Sequence, residues 1–434
     1  MKTIIAKEFA DQPQFAPVKD ILQACVHCGF CTATCPTYLL LGDERDSPRG
    51  RIYMMKAMFE GEQVTQETRH HLDRCLTCRS CETTCPSGVE YGHLVDLGRV
   101  VVEQKAPRPM HQKLVRWGLR QILPYRSRFG PLLKLGQLVR PMLPPVIKQH
   151  VPLAVPQLVA PQSNHKRVML SLPGCAQASA APNTDIAAAQ VLDQLGITLK
   201  VLHQSGCCGA VNHHLNAHEK ALEQARHNID LIWPELQAGA EALVITASGC
   251  GAALQEYGYM LRDDLTYVDK AKQVSKAAKD IVEILGQEDL APIKAKLNNT
   301  QVADQGLGTG LGTGLGQGLG QGLGQGLGTG LGKVAVHCPC TQQHAMQLPF
   351  KVKALLDHLG LDTAATKNDH LCCGSAGTYS LLQPDLSHQL RSQKIKDLTI
   401  DSPQLIVTAN IGCQLHLGGA GNIPVKHWLE LLAE

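Results

Sequence analysis

The amino-acid sequence predicts an α+β multidomain protein in which a helical N-terminal domain precedes two α/β repeats. Eight of the 17 cysteines fall between Cys25 and Cys85, in a region of short helical segments and tight loops. From Val168 onward strand-like and helix-like runs alternate, and the same order returns from Lys333. Glycine occupies every second position from Gly306 to Gly332, between the two repeats. These observations predict separate folding units joined by connecting segments.

Length and composition narrow the class of protein further. A chain of 434 residues can bury several cores, and a formal net charge of +3 says little about partners. The N-terminus has no apolar segment of the kind found in a secretory signal, and no apolar run is long enough to span a bilayer. We therefore expect any membrane association to be peripheral. In a long chain without a signal, abundant cysteines favour metal ligands over disulfides.

The N-terminal domain, residues 1–105, contains two cysteine runs of the form C-x2-C-x2-C-x3-C-P. The runs are Cys25, Cys28, Cys31 and Cys35 before Pro36, and Cys75, Cys78, Cys81 and Cys85 before Pro86. In two-cluster ferredoxins the fourth cysteine of each run binds the other cluster. The spacing thus predicts a ferredoxin-type domain with two [4Fe–4S] clusters, one held by Cys25, Cys28, Cys31 and Cys85 and the other by Cys35, Cys75, Cys78 and Cys81. Four thiolates also suit zinc, but two complete runs that each end in proline favour iron–sulfur clusters.

The two repeats, residues 166–295 and 333–434, are each predicted to be an α/β domain rich in cysteine. Helices are predicted over Thr184–Leu195, Ala217–Gln237 and Phe350–Leu359, between strands of the β-α-β type. In each repeat one cysteine ends the first strand, a Cys-Cys-Gly follows in a loop, and one cysteine ends the last strand. These residues are Cys175, Cys207, Cys208 and Cys250, and then Cys338, Cys372, Cys373 and Cys413.

The carboxyl ends of parallel strands share one edge of a sheet, so we expect the four thiols of each repeat to meet there. They are predicted to hold a further cluster in each repeat, or to contact a quinone or a partner. The alternative is that they are buried structural cysteines, which are common in protein cores.

Two connecting segments carry no cysteine. Residues 106–165 are rich in proline and basic residues, with no acidic residue between Glu103 and Asp185. This basic amphipathic pattern suits an anionic membrane surface or an acidic partner, and equally an ordinary solvated face. No nucleic-acid-binding module accompanies the charge, so we expect no nucleic acid partner. Residues 296–332 are predicted to be a flexible Gly-Leu-rich linker, because alternating glycine disfavours ordered structure.

The sequence contains no nucleotide-binding motif that would supply electrons. No G-x-G-x-x-G opens a β-α-β unit, and no phosphate-binding loop of the Walker type is present. Flavin or nicotinamide chemistry is therefore expected on another polypeptide. No residue of this chain is predicted to be catalytic.

Several stretches resemble one known family. CGFCTATCPTYLLLGDERDSPRGRI, CLTCRSCETTCPSGVEYG, SGCCGAVNHH and LCCGSAGTYSLLQP are similar to the iron–sulfur subunits of glycolate oxidase, also called glycolate dehydrogenase. The resemblance implies an electron-transfer subunit of an oxidoreductase that acts on CH–OH groups. Partner subunits that contain FAD would oxidise glycolate to glyoxylate, and this chain would relay electrons towards the quinone pool. It also implies a complex on the cytoplasmic side, peripherally associated with the inner membrane.

The resemblance extends the interpretation of the repeats to the cysteine-rich domains of heterodisulfide reductases and anaerobic glycerol-3-phosphate dehydrogenase. The fullest form of those domains ends in C-x2-C, whereas Ala253 and His416 stand at the second position here. A cluster with five cysteine ligands is therefore not expected, although four thiolates suit an ordinary cube. Three alternatives stay open: the equivalent subunit of a lactate or anaerobic glycerol-3-phosphate dehydrogenase, a heterodisulfide-reductase-like enzyme in its own right, and a redox-sensing module.

Overall fold

A computed structural model describes residues 2–144, 148–298, 332–421 and 423–433 of the chain. The predicted linker lies outside the described residues, apart from residues 296–298 and Gly332. Along the chain, a helical N-terminal domain leads through two connecting helices into two parallel sheets with helices around them. This is the fold class that the sequence predicts.

The N-terminal domain is built from short helices around one apolar core. Its helices are α1 (Lys7–Ala10), α2 (Val18–Ala24), α3 (Pro36–Leu41), α4 (Pro48–Phe59), α5 (Gln66–Asp73), α6 (Ser80–Thr84) and α7 (Tyr91–Lys105), with 3-10 turns at Pro13–Phe15, Phe30–Thr32 and Glu44–Asp46. Ser47 and Thr65 cap the amino ends of α4 and α5 through their hydroxyl oxygens. Phe9, Phe15 and Phe59 pack edge to face in the core, with ring centroids 5.3–5.6 Å apart.

The basic segment forms two helices, α8 (Met110–Ile122) and α9 (Arg126–Leu138), followed by a 3-10 turn at Arg140–Met142. No residue of α8 is buried, and α9 buries only Leu133. Their apolar side chains therefore face outward along much of both helices. Within the described residues, no helix combines the length and the apolar character needed to cross a bilayer.

The first repeat is a four-stranded parallel sheet with the strand order β2-β1-β3-β4. Its elements are β1 (Arg167–Ser171), α10 (Gln177–Ala180), α11 (Asn183–Gln194), β2 (Ile197–Val201), α12 (Ala210–His214), α13 (His218–Gln237), β3 (Leu243–Ile245), α14 (Ser248–Gln255), α15 (Tyr257–Met260), α16 (Val268–Ala277), β4 (Ala278–Asp280) and α17 (Ile281–Leu285). Residues 291–298 add a further helical segment.

The second repeat is a three-stranded parallel sheet with the order β5-β6-β7. Its elements are β5 (Val334–His337), a π-helical turn (Thr341–Ala345), α18 (Lys351–His358), α19 (Tyr379–Leu382), α20 (Pro384–Leu398), β6 (Leu405–Thr408), α21 (Ile411–Gly418), β7 (Val425–His427) and α22 (Glu430–Ala433). The counterpart of β2 is reduced to a single bridge between Val334 and Thr363.

The two repeats share one hydrophobic core. Fully buried Trp428 packs in a cluster that contains residues of both sheets. The backbone N–H of Ser248 donates to the carbonyl of Ala409 over 3.0 Å, and His427 Nε2 lies 2.8 Å from the carbonyl oxygen of Thr246. The carboxyl edges of the two sheets are thereby held against each other.

Candidate functional site

Each ferredoxin-type run forms a tight loop with the same backbone conformation. In both loops the residues on either side of the second cysteine have a left-handed backbone conformation. They are His27 and Gly29 in the first loop, and Thr77 and Arg79 in the second. Their φ angles lie between 54° and 89°. Three of the four are not glycine, so the loops hold backbone that costs about 1–2 kcal/mol per residue. The benefit is a curled loop whose thiols converge on one point.

The eight thiols line two adjoining cavities. Cys25, Cys28 and Cys31 meet Cys85 around the first thiol cavity. The second thiol cavity is lined by Cys35, Cys75, Cys78 and Cys81, of which Cys81 also reaches the first. Each set supplies the four thiolates that a [4Fe–4S] cube takes, three from one run and the fourth from the other. The donor sets thus fit the predicted clusters, while ligation by these residues stays a prediction.

A buried charge network lies against the second thiol cavity. Arg51 is 1% exposed and Asp46 is 0% exposed, with 3.1 Å between guanidinium Nη2 and carboxylate Oδ1. Arg51 Nη1 lies 3.9 Å from the Sγ of Cys35 and 3.1 Å from the hydroxyl of Thr37. The Tyr91 hydroxyl donates to the Sγ of Cys75 over 3.7 Å. A cation and a hydroxyl donor are therefore aimed at this cavity, where they favour negative charge on sulfur.

Burial opposes ionisation of the thiols when they stand alone. It raises the pKa of Cys78 and of Cys81 well above the usual thiol value, and that of Cys31 to about 11. Metal ligands must be deprotonated, so these cavities need positive charge to stabilise thiolates. Bound iron supplies such charge.

The four predicted cysteines of the first repeat come together at the carboxyl edge of its sheet. We call Cys175, Cys207, Cys208 and Cys250 the first-repeat thiol set. The four residues pack together in one apolar cluster. Interactions with Cys175 and Cys208 lower the pKa of Cys207, and the same interactions raise the pKa of Cys175 and of Cys208. The prediction that Cys250 ends a strand is wrong, because it lies in the first turn of α14.

In the second repeat the structure brings in a cysteine that the prediction omitted. Cys340 Sγ lies 3.7 Å from the Sγ of Cys372, and Cys373, the next residue in the chain, is buried in one cluster with Cys413. We call these four residues the second-repeat thiol set. Cys413, like its counterpart in the first repeat, lies at the start of a helix (α21) rather than at the end of a strand.

The predicted placement of Cys338 in this set is corrected by the structure. Cys338 directly follows the last residue of β5, and its thiol lines a separate small cavity with Phe350, Lys353 and Asp369. Burial raises its pKa to about 11. The sequence did contain the signal: the Cys-Cys pair starts 32 positions after Cys340, as it does after Cys175. Matching LPGC with HCPC on their last cysteines would have found Cys340.

Comparison with known proteins agrees with this architecture. The 4Fe-4S dicluster domain family matches residues 21–89, and the cysteine-rich domain family matches residues 169–255 and 334–418. The glycolate oxidase iron-sulfur subunit of Escherichia coli (strain K12) is 48% identical over 435 residues, which cover 100% of this chain and 99% of that protein. This chain belongs to the family of glycolate oxidase iron–sulfur subunits.

More distant relatives share the same organisation. The probable glycolate oxidase iron-sulfur subunit of Bacillus subtilis (strain 168) is 26% identical, covering 94% of this chain and 93% of that protein. A dihydromethanophenazine:CoB--CoM heterodisulfide reductase chain of Methanosarcina barkeri (strain Fusaro / DSM 804) is 21% identical, with 95% and 93% covered. The predicted resemblance, fold class and role as an iron–sulfur electron-transfer subunit of an oxidoreductase are confirmed.

The N-terminal domain of this family member packs on both repeats, in different ways. Against the second repeat, Cys78 and Leu76 pack in one apolar cluster with Cys340 and Cys372, so the second thiol cavity adjoins the second-repeat thiol set. The Tyr379 hydroxyl donates to the carbonyl of Arg74 over 3.1 Å.

Against the first repeat the contact is made by charges. Glu256 accepts hydrogen bonds from Arg79 over 2.6 Å and from His93 over 3.0 Å. His213 Nε2 lies 3.1 Å from a carboxylate oxygen of Asp96. Ion pairs thus join the ferredoxin-type domain to the first repeat, whereas thiols of the second repeat pack against that domain directly.

Proposed function

We propose that this chain is the electron-transfer subunit of a membrane-associated glycolate dehydrogenase complex. Flavin-containing partner subunits would oxidise glycolate to glyoxylate and pass single electrons to this chain, which would relay them towards the quinone pool. The observation that carries the proposal is the pair of adjoining cavities, which share the eight thiols so that each brings together cysteines of both ferredoxin-type runs. FAD is expected on the partner subunits only.

The proposed ligands follow from the thiols that share each cavity. One [4Fe–4S] cluster would be held in the first thiol cavity and another in the second, with the four residues of each set as ligands. When bound, such clusters exchange electrons one at a time. We also propose that the two thiol sets of the repeats each hold a further cluster, because each set packs together the four thiols that a cube takes.

The surroundings of the two cavities suggest the direction in which electrons pass through the chain. The first thiol cavity lies near the surface: Cys28 is exposed, and Val26, Phe30 and Tyr53 around it are 61–66% exposed. The second is buried against the second repeat. We infer that a flavin-containing partner binds over the first cavity, and that electrons continue through the second cavity into the second repeat.

We propose that α8 and α9 make the membrane contact. Leu114 and Trp117 on α8 and Leu135 and Leu138 on α9 are 55–78% exposed, in a segment that carries no acidic residue. Exposed apolar side chains between basic ones suit an interfacial position on an anionic bilayer. Binding of the full chain to vesicles with anionic lipids should weaken in Trp117→Ala, whereas Leu265→Ala, at a 95% exposed site elsewhere, should bind normally.

The first test is iron and acid-labile sulfide per chain in anaerobically purified protein, with EPR after reduction. About eight irons would match clusters in the ferredoxin-type domain alone, and about twelve to sixteen would add one or both repeats. The inferred route predicts magnetic coupling between the second-cavity cluster and a second-repeat cluster. Cys372→Ser should abolish that coupling and Cys207→Ser should retain it; the reverse would contradict the route.

The substrate is tested on the assembled complex. Glycolate should reduce a quinone analogue through the complex, and lactate and glycerol 3-phosphate should support much slower turnover. Faster turnover with either alternative would reassign the substrate while leaving the electron-transfer role intact. Reduction of a disulfide by the isolated chain would instead favour the heterodisulfide-reductase-like alternative.

A further inference from the structure

A histidine lies beside the second-repeat thiol set. His337 is the last residue of β5 and only 3% exposed. One of its ring nitrogens, the Sγ of Cys373 and the Sγ of Cys413 all lie within 4.8 Å of one another. These distances are of the size that separates ligand atoms around a metal centre, so the imidazole is as well placed as a thiol to serve as a ligand.

The matching position of the first repeat holds an apolar residue instead. In the first repeat Leu170 pairs with Leu243, which lies seven residues before Cys250. In the second repeat Ala335 pairs with Ile406, which lies seven residues before Cys413. By this register, Leu172 is the counterpart of His337. The first repeat therefore offers four sulfur donors, and the second offers four sulfurs and one nitrogen.

The surroundings of the ring resemble those of a metal-bound histidine. Its Nδ1 lies 3.0 Å from the hydroxyl of Thr408, its register partner on β6. Ligating histidines usually bond their second ring nitrogen in this way, which fixes the ring. No carboxylate pairs with the ring within the described part of the chain.

A buried core histidine is the simpler explanation, but it accounts poorly for the position. A neutral imidazole can make two hydrogen bonds, one at each ring nitrogen. Beside Thr408, the polar neighbours of the His337 ring nitrogens are the thiols of Cys373 and Cys413. Thiols are weak hydrogen-bonding partners. An apolar residue such as the leucine of the first repeat would fill the same place at lower desolvation cost.

We propose that His337 is a ligand of an iron–sulfur cluster in the second repeat, in place of one thiolate of the second-repeat thiol set, so that the two repeats hold chemically different centres. This rests on the proposed function, in which the second-repeat thiol set binds a cluster. A neutral nitrogen ligand in place of a thiolate makes a cluster less negative and raises its reduction potential, as in Rieske centres. The second-repeat centre should therefore be reduced more easily than the all-cysteine centre of the first repeat.

The test is pulsed EPR on the full chain, purified anaerobically and labelled with 15N-histidine. A strongly coupled nitrogen should change with the label in the wild type. It should vanish in His337→Cys, which retains a ligand at this position and lowers the midpoint potential. The matched control is His427→Gln: His427 is a buried histidine of the same repeat whose Nε2 lies 2.8 Å from the carbonyl oxygen of Thr246. This control should keep the nitrogen signal and the potential.

Iron content separates failure of this inference from failure of the proposed function. Cys373→Ser should remove about four irons per chain if the second repeat holds a cluster. If iron falls in that variant but no strongly coupled histidine nitrogen is seen in the wild type, the ligand assignment is refuted and the cluster proposal stands. If iron does not fall, both are overturned. Because the labelled wild type carries no substitution, the result does not depend on whether any variant folds.

Discussion

Replacing Arg51 by Met would remove the cation that faces the second thiol cavity. The guanidinium is buried and joins three elements: it donates to the carboxylate of Asp46, to the hydroxyl of Thr37 and to the carbonyl of His71, the last over 2.8 Å. Methionine fills a similar volume but carries neither charge nor donors. The substitution therefore tests the electrostatic contribution of Arg51 with little change in packing.

The size of the effect follows from the distance to sulfur. At an effective dielectric constant of about 20, unit charges separated by the 3.9 Å between Nη1 and the Sγ of Cys35 interact by about 4 kcal/mol. A reducing electron spreads over a whole cluster, so a separation roughly twice as long gives about 2 kcal/mol, or about 90 mV for one electron. Asp46 offsets part of the positive charge in the wild type. We expect the potential of the second-cavity cluster to fall by about 50–90 mV.

The substitution should also lower stability. Breaking a buried ion pair costs about 3–5 kcal/mol, because one charge is left behind. Here Asp46 keeps its contact with Arg74 over 2.8 Å and with His71 over 3.0 Å, so we expect the lower end of that range. The protein should therefore still fold and take up iron.

The assay is a redox titration of the anaerobic full chain followed by EPR. Arg51→Lys is the matched control, because it keeps the charge while losing the planar fork, and its potential should stay close to that of the wild type. The electrostatic role of Arg51 is refuted if Arg51→Met retains both cluster signals and the second-cavity cluster titrates at an unchanged potential.

Three further predictions concern the cluster set, one interface and the linker. Cys85→Ser should damage the cluster of the first thiol cavity, although the other three ligands lie far away in sequence, and EPR would identify which signal is lost. Burial alone would lower the pKa of His93, but Glu256 outweighs burial and the pKa is raised. The protonated ring therefore stabilises the fold below pH 6.5, and this contribution is lost as the pH rises through the folded-state pKa. His93→Gln should thus cost about 1–2 kcal/mol more at pH 6 than at pH 9, measured by thermal unfolding. Deleting residues 306–332 should leave iron per chain unchanged.

Each of these has a result that would count against it. Loss confined to the second-cavity signal in Cys85→Ser would overturn the crossed ligand assignment. The pH dependence at His93 should disappear in a Glu256→Gln background, and its persistence there would assign it to another group. Loss of iron after deletion of the glycine-rich tract would show that the tract does more than connect the repeats.

Local spacing predicted the chemistry better than the wider arrangement. The grouping of the eight ferredoxin-type cysteines follows from gaps of two and three residues, which leave the backbone few ways to place the thiols. Cys338 was predicted in place of Cys340 because the direction of a side chain just past a strand depends on where the strand ends. In the structure β5 ends at His337. Helix starts at Ser248 and Ile411 were missed since the glycines beside Cys250 and Cys413 favour loops.

Other features depend on contacts between residues far apart in the chain. Strands β4 and β7 have three residues each, too few to show an alternation of apolar and polar residues in the sequence. Only their pairing with the neighbouring strand identifies them as strands. Glu256 reaches His93 and Arg79 across 163 and 177 residues, so no local pattern could place it. The same holds for Arg51, whose role comes from burial beside Cys35 rather than from its position in the sequence.

The arrangement of burial and charge gives the two repeats different parts in the protein. In the second repeat the thiols lie against the ferredoxin-type domain, where Cys372 and burial raise the pKa of Cys340 although the charge of buried Lys394 opposes this. In the first repeat the thiols mainly affect one another, and ion pairs join this repeat to the ferredoxin-type domain. Two copies of one motif have thus diverged in their electrostatic surroundings. A chain that uses the second copy to pass electrons can keep the first for a separate redox or structural task.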